Sequence, residues 1–441
     1  MPHGASRYSR RYRAPVQRET RSVVALLSSV FAASAAWALL DTVLGKLVFD
    51  MTGSELALGL IGLAEFAPAA LLVFVTGTVA DRVDRRRLAA VSMTLEALTL
   101  VAITAYASTN PTSTLPLFAL VVVFGTARAF ATPATRSLPA DTVAPSRLPW
   151  LTARQSATWQ AALIFGPVTG GFLYVVDPWV PFAVAAGLVL VAALTVLRVQ
   201  PDEYVVDTDE VRERPSMHEA VEGLRFVRSL PILFGAISLD LFAVLFGGAI
   251  ALLPAIAEDR LGVGAVGLGW LRAAVGIGAG LVTLTLAWKP ISRRVGRTLL
   301  VSVALFGVGT IVLGATTSFA IAFVALLALS GADAVSVFIR STLVPLVTPA
   351  DKRGRVLAVE AVFIGASNEL GAFESGVAGQ LLGPALAVGL GGVATLAIAG
   401  LWWVLFPALR SVDGFPDTVA HTIPARGTDL PSRDEPEMMD P

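Results

Sequence analysis

The sequence has no cysteine, three histidines and, among 33 basic residues, only three lysines: Lys46, Lys289 and Lys352. Without cysteine there is no disulfide, no thiol nucleophile and no thiolate metal site. His3, His218 and His421 all fall in polar stretches, which argues against a buried metal centre. There is no glycine-rich phosphate loop, Ser-His-Asp set or metal-ligand cluster. ATP is therefore not the expected energy source, no cofactor is expected, and the chain is not read as an enzyme. Charge is scarce as well. Only 15% of the 441 residues are charged, against about a quarter in soluble domains. What is present is apolar: 55% of residues are hydrophobic, and mean hydropathy is +0.72. The chain reads as an integral membrane protein.

Apolar runs long enough to span a bilayer, about 20 residues each, occur at roughly 22–49, 56–80, 88–107, 115–135, 153–176 and 179–198. A polar break follows, and spans resume at roughly 232–257, 264–288, 298–316, 318–346, 356–379 and 384–406. A basic start followed by Ala33-Ser34-Ala35 also fits a signal peptide, but the apolar run continues well past that site. The expected organisation is a basic tail (1–21), an N-terminal six-helix bundle (22–198), a linker (199–229), a C-terminal six-helix bundle (230–406) and a polar, disordered tail (407–441). The fold class is all-α integral membrane, with twelve transmembrane helices in two pseudo-symmetric bundles.

The charges fix an expected orientation. Residues 82–87, 136–154, 198–228, 289–297 and 352–355 and the two ends carry nearly all the Arg and Lys, while the opposite loops carry only Arg260. The positive-inside rule then places both termini and the linker in the cytoplasm of a bacterial (inner) membrane. These arginine runs lie beside spans, so topology and anionic lipid account for them better than nucleic acid does. The halves also repeat. Arg136-Ser137 with Val143 and Pro145 has the same offsets as Arg340-Ser341 with Val347 and Pro349, and Asp41 in the first span matches Asp240 in the seventh. The loop 289–297 sits where 77–88 should recur, but lacks an acidic residue. Such internal symmetry marks a parallel-repeat transporter.

Between the second and third spans lies Gly77-Thr78-Val79-Ala80-Asp81-Arg82-Val83-Asp84-Arg85-Arg86. So dense a charged turn is costly in hydrocarbon and lies outside the bilayer. Its order, Gly-x-x-x-Asp-Arg-x-x-Arg-Arg, resembles the loop between the second and third helices of major facilitator superfamily transporters, with Asp84 where that pattern has Gly. Gly77, Asp81, Arg82, Arg85 and Arg86 are the matching positions. The resemblance implies that Asp81 holds a state closed on the cytoplasmic side; the physical basis is a carboxylate facing the positive N-terminal end of the eleventh span, near Val356, and nearby Arg. Gly166-Pro167-Val168-Thr169-Gly170-Gly171 resembles the motif of antiporters in that superfamily, at Gly166, Pro167, Gly170 and Gly171. The alternative for these residues is close helix packing. The run 52–60, Arg353-Gly354-Arg355-Val356-Leu357-Ala358, residues 363–371 and Glu374-Ser375-Gly376 resemble the enterobactin exporter and transmembrane secretion effector branch. That resemblance implies export of a medium-sized organic compound, a siderophore first, in exchange for protons. Multidrug or macrolide efflux is the alternative, and a non-transporting scaffold or sensor is the third reading. The implied partners are a small-molecule substrate, protons and the lipid bilayer, with a monomer as the expected state.

Ionisable residues inside spans are costly and face a cavity or a partner. They are Asp41, Lys46, Glu65, Glu96, Arg128, Asp240, Arg272, Asp333, Arg340, Glu360, Glu369 and Glu374. Lys46 and Arg340 lie near span ends and are expected to snorkel. Arg128 lies well inside the fourth span, where proton-exchanging facilitators carry an Arg; its other reading is a structural ion pair. Glu360 and Glu374, fourteen residues apart, share a helix face, and Glu369 points the opposite way. Glu369 and Asp333 lie deepest, about 20 Å along their helices. The proton-coupling candidates are therefore Glu369, Asp333, Arg128, Asp41, Asp240, Glu360 and Glu374, with Ser367 and Asn368 as hydrogen-bonding neighbours of Glu369. Each carboxylate has an alternative role in a structural pair, as Glu369 would with Arg128. Trp37, one turn before Asp41, shares its face. Trp37, Asp41 and Trp159 are the substrate-contact candidates, although packing and interfacial positions are the common roles of such Trp.

Overall fold

The computed structural model describes residues 5–200 and 217–415. Side chains are described from Glu19 onwards in the first segment, apart from Phe74 and Asp81, and from Val221 in the second. Among the described residues there is helix and no strand. The first six helices are α1 (Ala5–Thr52), α2 (Glu55–Arg82), α3 (Arg85–Ala107), α4 (Leu115–Thr142), α5 (Leu148–Val176) and α6 (Val180–Val196). A short amphipathic helix, α7 (Met217–Ser229), precedes α8 (Pro231–Phe246). Beyond Gly247-Gly248 the seventh span continues irregularly, through a 3-10 turn, α9 (Leu253–Ala255) and a π-helical turn at Ile256–Arg260. Then come α10 (Gly264–Trp288), α11 (Val295–Ala315), α12 (Phe319–Val347), α13 (Ala350–Leu382), α14 (Pro384–Leu405) and the short α15 (Pro407–Arg410). Eleven of these segments are long and apolar enough to cross a membrane; Val180–Val196 is a shorter apolar helix in the position of the sixth span. Leu71, Leu381 and Val404 are more than two-thirds exposed. Such an apolar exterior needs an apolar solvent, and helices that satisfy their own backbone are what a bilayer admits.

The helices run past the apolar stretches at the Arg-rich end. Helix α1 begins at Ala5, α4 ends at Thr142, α5 begins at Leu148 and α13 at Ala350. Hydropathy ends where the bilayer ends, but backbone hydrogen bonding does not. The linker is likewise not featureless. Helix α7 packs on the start of α13: Arg355 meets Glu222 at 2.8 Å, Lys352 sits over the Phe226 ring at 4.7 Å, and Val227 is buried. Residues 201–216 lie outside the described residues.

The two charged turns expected to be equivalent are capped differently. Asp84 is the N-cap of α3 and accepts from the backbone of Arg86 at 2.9 Å and Arg87 at 3.4 Å. The 289–297 loop has no carboxylate for α11. Instead the backbone N–H groups of Val295 and Gly296 donate to the carbonyls of Asp413 and Val412, at 3.2 and 3.0 Å. Orphan donors at a helix start need partners of some kind. This overturns the expectation of disorder for the first part of the tail: Leu409 is fully buried, and the ring of Phe415 packs edge-on against Phe338. Residues 416–441 lie outside the described residues. Arg260, the one basic residue of the opposite loops, donates to the carbonyls of Ala315 and Thr316 and so caps the end of α11.

Helices α1 to α6 enclose one apolar core, and the helices from α8 onwards enclose the others. The groups meet along two seams, α2 with α13 and α5 with α10. Both seams are close-packed at the end opposite the Arg-rich loops. A Cβ at Gly376 would lie 2.8 Å from the Glu55 carbonyl oxygen, and one at Gly59 2.9 Å from that of Ala372. Phe49 and Leu58 enter the C-terminal core there, and Ala265 enters the N-terminal one. Towards the Arg-rich end of α2 and α13, Gly77 and Gly354 have nothing among the described residues within 4 Å of where a Cβ would lie.

Candidate functional site

The glycine–proline stretch of α5 is built for contact. A Cβ at Gly166 would lie 2.8 Å from the Ala35 carbonyl oxygen, and one at Gly170 3.0 Å from Val43, both on α1. On the other side, a Cβ at Gly171 would lie 2.5 Å from the Ala265 carbonyl oxygen, and one at Gly269 of α10 2.6 Å from that of Pro167. Helix α5 is therefore pressed between α1 and α10, with no room for side chains at these points. This close approach sets α1 and α10 near enough for their charges to meet.

Arg272 of α10 pairs with Asp41 of α1 across the seam. The Arg272 Nε is buried without a partner among the described residues. One helical turn before Asp41, the Trp37 indole N–H donates to Glu65 of α2 at 3.2 Å. Arg128 of α4 lies 3.9 Å from the same carboxylate and 4.9 Å over the face of Trp37. Glu369 of α13 reaches towards α2, where a Cβ at Gly62 would meet its Oε2 at 3.2 Å. Glu65 and Asp41 are the charged groups that act on it. Arg128 therefore pairs with Glu65, not Glu369, and Glu369 has no ion pair among the described residues. Ser367 is not its partner either, because its hydroxyl donates back to the Ile364 carbonyl at 3.0 Å. Beside this group lies a cavity of about 490 Å³, lined by Trp37, Glu96, Arg128, Gln155 and Trp159 among others.

A second group forms within the C-terminal half. Arg340 of α12 pairs with Asp240 of α8 at 2.7 Å, and Ser336 is 3.4 Å from its Nε. Asp333 lines a small cavity with Asp240, Ser302 and Ser336, and Glu360 of α13 is within electrostatic reach of Arg340 and Asp240. The expectation that Arg340 snorkels is wrong. Its side chain is 5% exposed, because a guanidinium pointing inward neutralises the carboxylate of a neighbouring helix. Lys46 is likewise buried. It pairs with Asp50, lies 3.2 Å from Glu258 at the π-helical end of the seventh span, and sits 5.7 Å from the Tyr174 ring centroid. Tyr174 also donates to Asp50 at 2.7 Å.

Helix α13 thus sends Glu369 to one group and Glu360 to the other, on opposite faces. Glu374 shares the face of Glu360 but joins neither group; it lies about 21 Å further along the axis. Asp41 and Asp240, matched by sequence, take different partners, Arg272 and Arg340. Arg136 and Arg340, also matched, differ in burial: Arg136 is exposed at the cavity wall.

The charged turn lies far from both groups. Arg85 makes two hydrogen bonds to Asp141 at the end of α4, at 3.0 and 2.9 Å. Arg86 binds Asp84 and the Val199 carbonyl. The Arg86 guanidinium beside Asp84, more than the backbone donors of the cap, holds that carboxyl below the usual carboxylate range. Arg82 is exposed, and the Asp81 side chain lies outside the described residues. Sequence reasoning assigned no role to Glu65, Glu96 or Arg272, although each was visible as an intramembrane charge. Glu258 carried no signal, since it lies in an ordinary acidic loop.

A family model described as Major Facilitator Superfamily matches residues 26–300. No curated protein matches the chain. Solved structures of similar shape include a bacterial homologue of the human lysosomal transporter Spinster, inward-facing and unoccupied, with 15% identity and a TM-score of 0.66 over 89% of this chain and 96% of that one. The nucleoside transporter NupG matches with 14% identity and a TM-score of 0.67, over 88% and 99% of the two chains. The human organic anion transporter MFSD10 (TETRAN) matches with 17% identity and a TM-score of 0.59, over 87% and 99%.

Proposed function

Because the chain belongs to the major facilitator superfamily and is a multi-pass membrane transporter of that type, we propose that it is a secondary active exporter. It moves a medium-sized organic compound out of the cytoplasm in exchange for protons, by alternating access of two six-helix bundles. The observation that carries this reading is the group Asp41–Arg272, Glu65–Arg128 and Glu369, set where α1, α2, α10 and α13 meet beside the 490 Å³ cavity. A carboxylate without a fixed cation at such a boundary suits proton uptake and release, and Glu369 is the first candidate. Asp333 in the C-terminal half is the second. Arg128 and Asp41 tie that group together, while Asp240 and Glu360 surround Asp333 through Arg340.

The close seams at one end and the open space among the described residues at Gly77 and Gly354 support a state closed outside and open inside, given the positive-inside orientation with both termini cytoplasmic in a bacterial membrane. In this reading Gly77, Asp81, Arg82, Arg85 and Arg86 form the inner gate, and Gly166, Pro167, Gly170 and Gly171 serve antiport through the packing they permit. Trp37 and Trp159 contact substrate.

The resemblance to the enterobactin exporter branch makes a siderophore the first substrate to test. Multidrug or macrolide efflux is the second reading, and the exposed Trp159 on the cavity wall favours it, since an open aromatic face accepts many organic ligands. The test is metabolite and drug export by everted vesicles under an imposed pH gradient. Accumulation of a siderophore or drug that collapses with the gradient is expected. No gradient-driven movement of any compound, with the protein correctly inserted, overturns the exporter reading and leaves a scaffold or sensor.

A further inference from the structure

Glu96 of α3 lies away from the seams, yet it is the most enclosed charged group on the cavity wall, with 5% exposure. Helix α3 packs on α4, α6 and α2, all in the N-terminal half. The charged groups that act on Glu96 are Arg128 and Glu65. Arg128 already serves Glu65, at 3.9 Å, and lies against Trp37. Two carboxylates thus share one guanidinium, and Glu96 has no hydrogen bond or ion pair among the described residues. Arg136, the remaining charged residue on the wall, is exposed. A buried carboxylate one cation short is costly unless something neutralises it.

Two things neutralise a lone carboxylate: a proton or a cation. A bare metal ion fits poorly, because hard cations take six or more oxygen ligands and no cluster of metal-ligating residues occurs among the described residues. An organic cation fits better. The cavity, about 490 Å³, is within the range that holds drug-sized ligands. Its wall carries the Trp159 indole, 46% exposed, and aromatic faces attract ammonium groups.

We infer that Glu96 is a substrate-binding residue that receives the ammonium or other cationic group of an aromatic organic compound held in this cavity. The inference deepens the exporter reading and rests on it for the direction of travel only; binding itself needs no transport.

The test uses the purified full chain in detergent, with ethidium as the cationic probe, its uncharged dihydro form as the neutral control and anilinonaphthalene sulfonate as the anionic one. Ethidium binding is expected to weaken at least about tenfold in Glu96→Gln and to return in Glu96→Asp. The neutral control should bind both proteins alike. In the wild type, ethidium should protect the Glu96 peptide from labelling by dicyclohexylcarbodiimide, a measurement that needs no variant to fold. Unchanged ethidium binding in a well-folded Glu96→Gln, absence of protection, tighter binding of the anionic dye, or failure of both ethidium and tetraphenylphosphonium to bind overturns the assignment. Glu96-dependent binding without gradient-driven transport would sink the exporter reading and leave the assignment standing.

Discussion

Arg340 and Asp240 form an ion pair at 2.7 Å with 5% and 8% of their side chains exposed, joining α12 to α8 inside the C-terminal half. Removing one partner of such a pair strands a charge. Arg340→Met is expected to destabilise the protein by about 3–5 kcal/mol, and Asp240→Leu combined with Arg340→Met to recover most of that loss. Thermal unfolding in detergent measures both. A single variant as stable as the double one means the pair contributes no more than its packing.

Glu369→Gln separates coupling from structure. If Glu369 carries the exchanged proton, the variant folds and binds normally, loses export driven by a pH gradient and keeps exchange driven by a substrate gradient. If it is structural, thermal stability and both activities fall together. Its lack of an ion pair, with Arg128 held by Glu65, favours the first outcome. Unchanged pH-driven export excludes the role and moves the test to Asp333.

The charged turn offers a contrast between neighbours. Asp81→Asn should leave the protein in the membrane and impair transport, because the gate reading needs that charge; wild-type transport rates rule the gate role out. Asp84→Ala should instead cost stability, about 1 kcal/mol, while Asp84→Gly should cost only a few tenths, since Gly tolerates the N-cap conformation. The folded carboxyl of Asp84 is held below its ordinary value, chiefly by Arg86. Its contribution is therefore complete above the unfolded value, about 4, and is lost as pH falls through the lower folded value. The stability gap between wild type and Asp84→Ala should close in acid, and a gap that widens there contradicts the cap assignment.

Glycines in the spans should divide by surroundings. Gly166→Ala places a Cβ 2.8 Å from the Ala35 carbonyl oxygen and should cost about 1–3 kcal/mol as α5 is pushed from α1. Gly187 in α6 has nothing among the described residues within 4 Å, so Gly187→Ala should gain up to about 1 kcal/mol from helix propensity. Melting temperatures that move in the same direction for both variants refute this division.

Much of the fold was legible in the sequence because hydropathy is local and additive. Each apolar run, summed over about 20 residues, reports a span, and the charged turns between spans mark the side on which they lie. The motif glycines of α5 were visible for the same reason, as a short string. The limit appears where a charge enters a span. Depth along a helix is a count, but direction depends on which distant helix faces it. Arg340 and Lys46 sit where snorkelling was expected, and each turned inward because a carboxylate from another segment, Asp240 or Glu258, lay within reach. Arg272 met Asp41 only because Gly171 and Gly269 let α5 and α10 touch. Glu96 gained its character from Arg128 being already occupied by Glu65. Composition and spacing determined that this chain is a bundle of membrane helices in two similar halves. Only the tertiary structure decided which buried charges cancel and which remain open, because that balance is set among residues brought together from different helices.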